Sequence, residues 1–593
     1  MRTQGRDPQQ RGLEKLWDYG DIAKEALDAE VVSSRIQDGY KIDAVYINGA
    51  GGGEKGKDRI FCYYARPLEG GRKFPVMLDL TGGSKDDGKA LYLAKKIGGA
   101  CIDLEWRCTD AAMRSKWVAG EPPPYRTEGP LESQQIYRVT TAARRALDFI
   151  SQDETVDLSK VASVGGSMGG YLTLMLAAID TRVSAAVVEV AGGHLDNSDS
   201  EQGHFWLSPE AKERWLQAFD PYRYVNRIRA KTIMLLSTSD HHFSLDDCLA
   251  TYRAIPAEKR LWLDVNFDHT VPSFGGSPKY SGLDRWLEYA FGLADSYPAL
   301  AGGVQREGNR FWIDTGDLDV KEVVLAWSPG ADTPWQSRYW QEIKAAREGR
   351  HWTATIPSGY DVLPKWVFMN VSNTKDQRVS AEPIFVPPSG GGGAPPLWEG
   401  GNLWDAAAGL GAWRPAVSSD PKIPRKANIA FAPPRGISVG PDQEAFRTGG
   451  KNAERYPGEY GKGSQRADAR FVVLTSSVGM AALQAGKHAG LVFEIDGNGS
   501  AGELKIILHK HYLAAVGAQA FETVLKYETD CRTYSIPWSS FQSLKYPGQS
   551  PDRFDTLWLE GERPDGTPVT IRSIRFADKS PEASKASEKD SVK

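Results

Sequence analysis

Ser167 stands in Gly165-Gly166-Ser167-Met168-Gly169, a Gly-x-Ser-x-Gly pattern within "VASVGGSMGGYLTLML". A serine hydroxyl is a weak nucleophile at neutral pH; it needs a base to take its proton and an acid to orient that base. In a chain with 61 glycines, chance supplies about 0.4 matches to such a pattern, so the surroundings decide. "KVASVG" ahead of the serine reads as a strand and "MGGYLTLMLAAI" behind it as a helix. A sharp strand–turn–helix of this kind exposes a serine, and the helix N-terminus aims N–H groups at developing negative charge. Two later residues can complete the set. Asp240 lies where the strand "TIMLLSTS" ends, and His269 where the next strand ends, in "LWLDVNFDHT". Both sit at C-terminal strand ends, the side on which the serine turn lies. Asp240 also reads as a helix cap, and Asp246 is a second acid, placed inside the following helix.

Negative charge developing on an attacked carbonyl oxygen needs two backbone donors. One is the N–H of Met168, directly after the serine. The other comes from the loop after "KFPVMLDL", which reads Thr81-Gly82-Gly83-Ser84, with Gly83 or Ser84 as the donor. Glu105, Trp106 and Arg107, after another strand end, are candidates to touch substrate; the competing reading is an ion pair and a packing indole. His242, beside Asp240, is a candidate to line the pocket, as is its neighbour His241. His509 and His511 alternate on one predicted strand face, a spacing that permits a metal, although two surface histidines are the simpler reading. This set of residues calls for no metal and no organic cofactor.

The elements that must position these groups follow from periodicity. From about residue 40 to 295, continuous apolar runs such as "KFPVMLDL" alternate with helical patterns such as "ESQQIYRVTTAARRALDFISQ". That alternation predicts a mostly parallel sheet with helices on both faces, an α/β domain over 1–300. The texture then changes to short strands with turn signals, which predicts a small immunoglobulin-like β-sandwich over 301–386. "PPSGGGGAPP" (387–396) reads as a linker. An all-β region over 397–578 and a charged, disordered tail over 579–593 complete the chain. Between Ala191 and Tyr224 an insertion lies before the acid, a position suited to a lid or substrate-binding cap.

Composition bounds the partners. The 593 residues carry 72 Lys plus Arg against 76 acids, a net charge of -4 with no basic stripe, which argues against nucleic acid. No apolar run is long enough to predict a membrane span. Five cysteines, without metal-ligand spacing, read as small buried hydrophobes. The opening "MRTQGRDPQQ" has no apolar leader core, so the expected address is secreted or periplasmic with a signal removed, or else cytoplasmic. Oligomeric state is not encoded in any of these patterns.

Taken together, the serine turn, Asp240, His269 and the glycine loop resemble the α/β-hydrolase superfamily. Within it, "FDPYRYVNRIRAKTIMLLSTSD" and "LEKLWDYGD…YYARPLEGGRKFPVMLDLTGG" are similar to the dienelactone hydrolase and prolyl-oligopeptidase-like group, which includes acetyl xylan esterases and cephalosporin C deacetylases. The resemblance covers residues 13–295 and implies a Ser167–His269–Asp240 triad acting on carboxylic esters, with a small ester or an acylated polysaccharide as substrate. Esterases of this kind commonly have His-Gly-Gly where this chain has Thr81-Gly82-Gly83. "YSIPWSSF", "DTLWLEG" and "IRSIRFA" resemble the closing strands of jelly-roll carbohydrate-binding modules, with Trp538 and Trp558 as either core or contact residues. Rival expectations are a peptidase, a hydrolase of other esters including polyesters, or a glycan-binding protein whose hydrolase domain is inactive.

Overall fold

The computed structural model describes residues 15–388 apart from short stretches, among them 83–86, 108–112, 198–201 and 272–281 and the single residues 241, 266, 268 and 270. Beyond 388 it describes isolated strands between 402 and 475 and most of 488–577. The greater part of the linker and the tail beyond 577 therefore lie outside the described residues.

The N-terminal part is built on one nine-stranded sheet of order β1-β2-β3-β5-β4-β6-β7-β8-β9. Strands β1 (Glu30–Gln37), β2 (Tyr40–Gly51) and β3 (Lys57–Pro67) are antiparallel, and β3 joins β5 (Ala100–Glu105) antiparallel. From β5 the sheet is parallel through β4 (Phe74–Asp79), β6 (Val156–Gly166), β7 (Ala185–Glu189), β8 (Lys231–Ser237) and β9 (Lys259–Asp264). The alternating pattern from about residue 40 thus corresponds to a mostly parallel sheet, as expected, with an antiparallel edge. The antiparallel hairpin begins earlier, at Glu30, on a strand exposed at every position and so without the in/out alternation that marks a strand.

Burial explains why these segments are strands. Every residue of β4 and of β5 is buried, because helices cover both faces and a continuous apolar run is what such a strand requires. On one face lie α2 (Gln135–Ile150), α3 (Met168–Ile179), α4 (Pro209–Phe219) and α5 (Leu245–Ala254); on the other lie α1 (Gly88–Ile97) and α6 (Gly282–Ala290). The helical spacing of Ile136, Val139, Leu147 and Ile150 puts all four at 0–1% exposure, each withdrawal stabilising by about 1.5–3 kcal/mol. Arg145 on the same helix is buried too. It donates to the carbonyls of Ile22, Glu25 and Asn48 and to Asp148, tying the N-terminal segment onto the sheet. A buried arginine with that many acceptors is not readable from helical periodicity.

The next region forms two antiparallel sheets. One has the order β10-β11-β15-β14, with β11 (Arg310–Asp314) and β15 (His351–Thr355) at its centre and β10 (Gln305–Glu307) and β14 (Ala346–Glu348) at its edges. The other is centred on β12 (Val320–Pro329) and β16 (Lys365–Asn373), with β17 (Arg378–Ser380) and β18 (Ile384–Val386) pairing with β16. Phe311, Val323, Leu325 and Val371 share one apolar core with Trp286 and Leu287 of α6, while Trp340 and Phe368 reach the core on the opposite face. C-terminal to this, two six-stranded antiparallel sheets enclose a separate core that includes Phe493, Ile506, Leu559 and Ile574. Trp538 packs against that core and its Nε1 donates to the His488 carbonyl at 2.9 Å.

Candidate active site

The strand order reverses at β4, which continues through α1 to β5 on one side and is flanked by β6 on the other. In open α/β sheets the crevice beyond the C-terminal ends of such strands is where ligands bind. Ser167 lies there, between β6 and α3, with φ 56° and ψ -123°. A non-glycine residue in that conformation is strained and persists only where its neighbours hold it. Here the Ser167 N–H donates to the Glu189 carbonyl at 2.9 Å and the Ser167 carbonyl accepts from Tyr171 at 3.0 Å. The glycines supply the room: a Cβ at Gly165 would lie 2.3 Å from the Gly169 backbone, and one at Gly169 would lie 2.4 Å from the Leu80 carbonyl oxygen.

Ser167 Oγ lies 2.6 Å from His269 Nε2, and His269 Nδ1 lies 2.9 and 3.1 Å from the two carboxylate oxygens of Asp240. Asp240 is 3% exposed, and it also accepts the N–H groups of His242 at 2.8 Å and Phe243 at 3.0 Å. Those bonds fix the carboxylate so that His269 donates from Nδ1 and accepts from Ser167 at Nε2. Phe243 stacks on the His269 ring at 6.1 Å and His242 meets it edge-on at 4.4 Å, which shields the pair from water. Chemically, the chain can move a proton from the hydroxyl to the imidazole and stabilise the imidazolium that results. The carboxylate of Asp246, the second acid, accepts the Ser244 hydroxyl.

The N–H of Met168 belongs to the first turn of α3, where no intrahelical carbonyl is available to it. Gly83 and Ser84 lie outside the described residues, but the start of their loop is defined. Asp79 accepts the Thr81 N–H at 2.9 Å and the Thr81 hydroxyl at 2.6 Å, and Lys89 pairs with the same carboxylate. Asp-x-Thr is a turn-forming spacing, and "DLTGG" carries it. Gly82, at φ +69°, rests on Trp106: a Cβ there would lie 2.6 Å from the indole Nε1.

The substrate-lining candidates separate. Trp106 is 3% exposed and donates Nε1 to the Leu80 carbonyl at 2.8 Å, so it underpins the glycine loop instead of offering a face to solvent. Glu105 is 1% exposed and accepts the Ser115 N–H, which corrects its assignment as a wall residue: the carboxylate is turned away from solvent toward the 115 loop. Arg107 is exposed and its guanidinium lies 5.0 Å from the Trp106 ring centroid. His242 adjoins the site as described, whereas His241, His511 and the side chain of His509 lie outside the described residues. Among the described residues no cluster of three or more His, Cys, Asp or Glu could hold a metal ion.

The segment from Ala191 to Tyr224 contains α4, whose Trp215 and Phe219 are buried in the core below it. Gln202 joins it to the site: its N–H donates to the His242 carbonyl at 3.2 Å, and its side-chain oxygen accepts from Tyr125 Oη at 3.1 Å and Arg126 Nη2 at 3.2 Å. Glu189, whose carbonyl holds Ser167, is half-buried beside the serine turn. Burial pushes its carboxyl up to about 7, and Asp79 adds to the shift.

Residues 4–191 match the family model described as acetyl xylan esterase (AXE1), and residues 143–270 match that of the prolyl oligopeptidase family. Acetyl esterase Axe7A of Xylanibacter ruminicola is 26% identical over 204 residues, 31% of this chain and 46% of that protein. The match thus spans about half the length of this curated relative. Among solved structures, the acetyl xylan esterase from Paenibacillus sp. R4 is 22% identical, with 49% of this chain and 96% of that one covered at a TM-score of 0.38. For acetyl xylan esterase 1 from Thermoanaerobacterium sp. JW/SL YS485 the identity is 18%, the coverage 47% and 93%, and the TM-score 0.37. By these family models, residues 4–191 are similar to acetyl xylan esterases and residues 143–270 to the prolyl oligopeptidase family.

Proposed function

We propose that the protein is a serine carboxylic-ester hydrolase that removes acetyl or similar acyl groups from a polysaccharide or oligosaccharide. The observation that carries this reading is the hydrogen-bonded series Ser167–His269–Asp240 beyond the strand ends, in a region that matches an acetyl xylan esterase model. His269 takes the Ser167 proton as Oγ attacks the ester carbonyl. Asp240 holds the imidazole and stabilises its charged form. The N–H of Met168 and the Gly82-Gly83 loop receive the oxyanion, each such donor being worth about 10²–10³ in kcat. His269 then gives its proton to the leaving alcohol, and a water activated by His269 releases the acyl group and restores Ser167. On the same reading the C-terminal sandwich binds glycan and the protein works outside the cytoplasm, where polymeric substrate is found.

The prolyl oligopeptidase match over 143–270 favours a second reading, hydrolysis of peptide bonds by the same residues. Acetate release from a panel of acetylated polysaccharides, with small aryl esters and peptide anilides alongside, tests both. The proposal expects acetate release that falls by at least about 10⁴-fold in Ser167→Ala. Cleavage of peptide anilides with no release from any glycan would transfer the assignment to the second reading.

A further inference from the structure

Strand β9 is the last in the nine-stranded sheet, and among the described strands none pairs with its outer side. Two buried side chains of the first sandwich take their place. The Leu263 N–H donates to Ser380 Oγ at 2.9 Å, and the Leu263 carbonyl accepts from Asn370 Nδ2 at 2.9 Å. Ser380 Oγ in turn donates to Asn370 Oδ1 at 2.5 Å, which closes a ring of hydrogen bonds around one residue of β9. Both side chains belong to residues only 8% exposed, so water does not replace them.

A second tie lies next to the acid. Ser239 Oγ donates to the Arg338 carbonyl at 3.3 Å, in the segment that carries the fully buried Trp340 into the core under the site. The loops bearing Asp240 and His269 are also joined to each other: Thr238 N–H donates to Asp264 and Ser239 N–H to Phe267, both at 3.0 Å. The offset of β9 against β8 thus sets the Asp240–His269 distance, and the sandwich holds β9 from outside.

We propose that the first sandwich is a positioning element of the active site, with Ser380, Asn370 and Ser239 as its positioning residues. The inference rests on the ester-hydrolase reading of Ser167, His269 and Asp240. A displacement of about 1 Å in such a set costs up to about 10²-fold in rate, so a loosened β9 lowers kcat while substrate binding, made elsewhere, is kept.

The test compares the intact chain with Ser380→Ala, Ser380→Thr and Ser239→Ala. The readouts are kcat for an aryl acetate per serine titrated with an organophosphate, KM, melting temperature, and the downfield proton resonance of His269 Nδ1–H. We expect Ser380→Ala to lose about 10-fold in kcat per titrated serine, to keep KM within 2-fold and to weaken the resonance. Ser380→Thr, which keeps the hydroxyl, restores both, and Ser239→Ala shows the same pattern more weakly. A lower melting temperature with kcat per titrated serine and the resonance unchanged would reduce the sandwich to a neighbour and overturn the inference. A wild-type chain inert to organophosphate and ester would instead defeat the hydrolase reading. The resonance needs no substrate and would still decide whether these ties hold His269 on Asp240.

Discussion

The two edges of the nine-stranded sheet are managed in opposite ways. At one edge, β1 is exposed at all eight positions, with Val31 at 52% and Ile36 at 67%, and is held by β2 and by the Arg35–Asp87 pair. At the other, Leu263 of β9 is enclosed by Ser380 and Asn370 and is fully buried. The site lies toward the enclosed edge, since Asp240 and His269 follow β8 and β9. The edge remote from the acid–base pair leaves apolar side chains such as Val31 and Ile36 exposed, while the edge that supports the pair is covered by a second domain. Rigidity is placed where an offset of strands becomes an offset of reacting groups.

The largest effect that would test this belongs at the centre of the sheet. In Gly169→Ala the new methyl would meet the Leu80 carbonyl oxygen at 2.4 Å, backbone against backbone, so α3 must retreat from the end of β4. That moves the Met168 N–H away from the glycine loop and should lower kcat by about 10²-fold, with a stability loss of about 1–3 kcal/mol. Steady-state kinetics and a melting curve would register both. An alanine variant with wild-type kcat would mean that the close approach of α3 to β4 has nothing to do with the chemistry.

A smaller, pH-dependent effect is expected at Glu189, between the two edges. Its carboxyl stands at about 7 in the fold against 4.5 in the open chain. Between those values the folded form holds the proton that the unfolded form has lost, so stability falls as pH rises from 4.5 toward 7 and is level above it. The whole shift corresponds to at most about 3.5 kcal/mol. Glu189→Gln removes the ionisation, so its melting temperature relative to wild type should be several degrees higher at pH 8 than at pH 4.5. A difference that does not change with pH would show that the Glu189 carboxyl is solvated, and that the floor under Ser167 is softer than its burial implies.

The serine turn, the order of acid and histidine, and the strand ends that bear them were all legible in the residues, because buried parallel strands and glycine-lined turns impose strict local patterns. What escaped was set by tertiary contact. Glu105 looked like a wall residue because it ends a strand, but the strand is buried on both faces and the side chain serves Ser115. Asp79 was hidden in an apolar run, although its spacing to Thr81 foretold the turn it holds. Ser380 and Asn370 act on a strand more than a hundred residues away in sequence, and no window of local pattern reaches that far. The exposed β1 was passed over for the opposite reason: a strand that buries no face leaves no periodicity to read.

That exposed strand supplies the smallest effect and the sharpest contrast. Ile36→Lys replaces a side chain 67% exposed on the edge remote from His269. Nothing apolar is withdrawn from a core, and lysine on an edge strand is a common protection against pairing with other chains. Stability should change by no more than about 0.5 kcal/mol, and kcat and KM should match the wild type. Measured beside Ser380→Ala, the substitution separates two accounts of the sheet. If Ile36→Lys also lowers kcat per titrated serine, the strands shift as one body and a disturbance at either edge reaches His269. If only Ser380→Ala does, the β9 edge is coupled to the acid–base pair by the ring of hydrogen bonds around Leu263, and the difference in covering between the two edges is a difference in function.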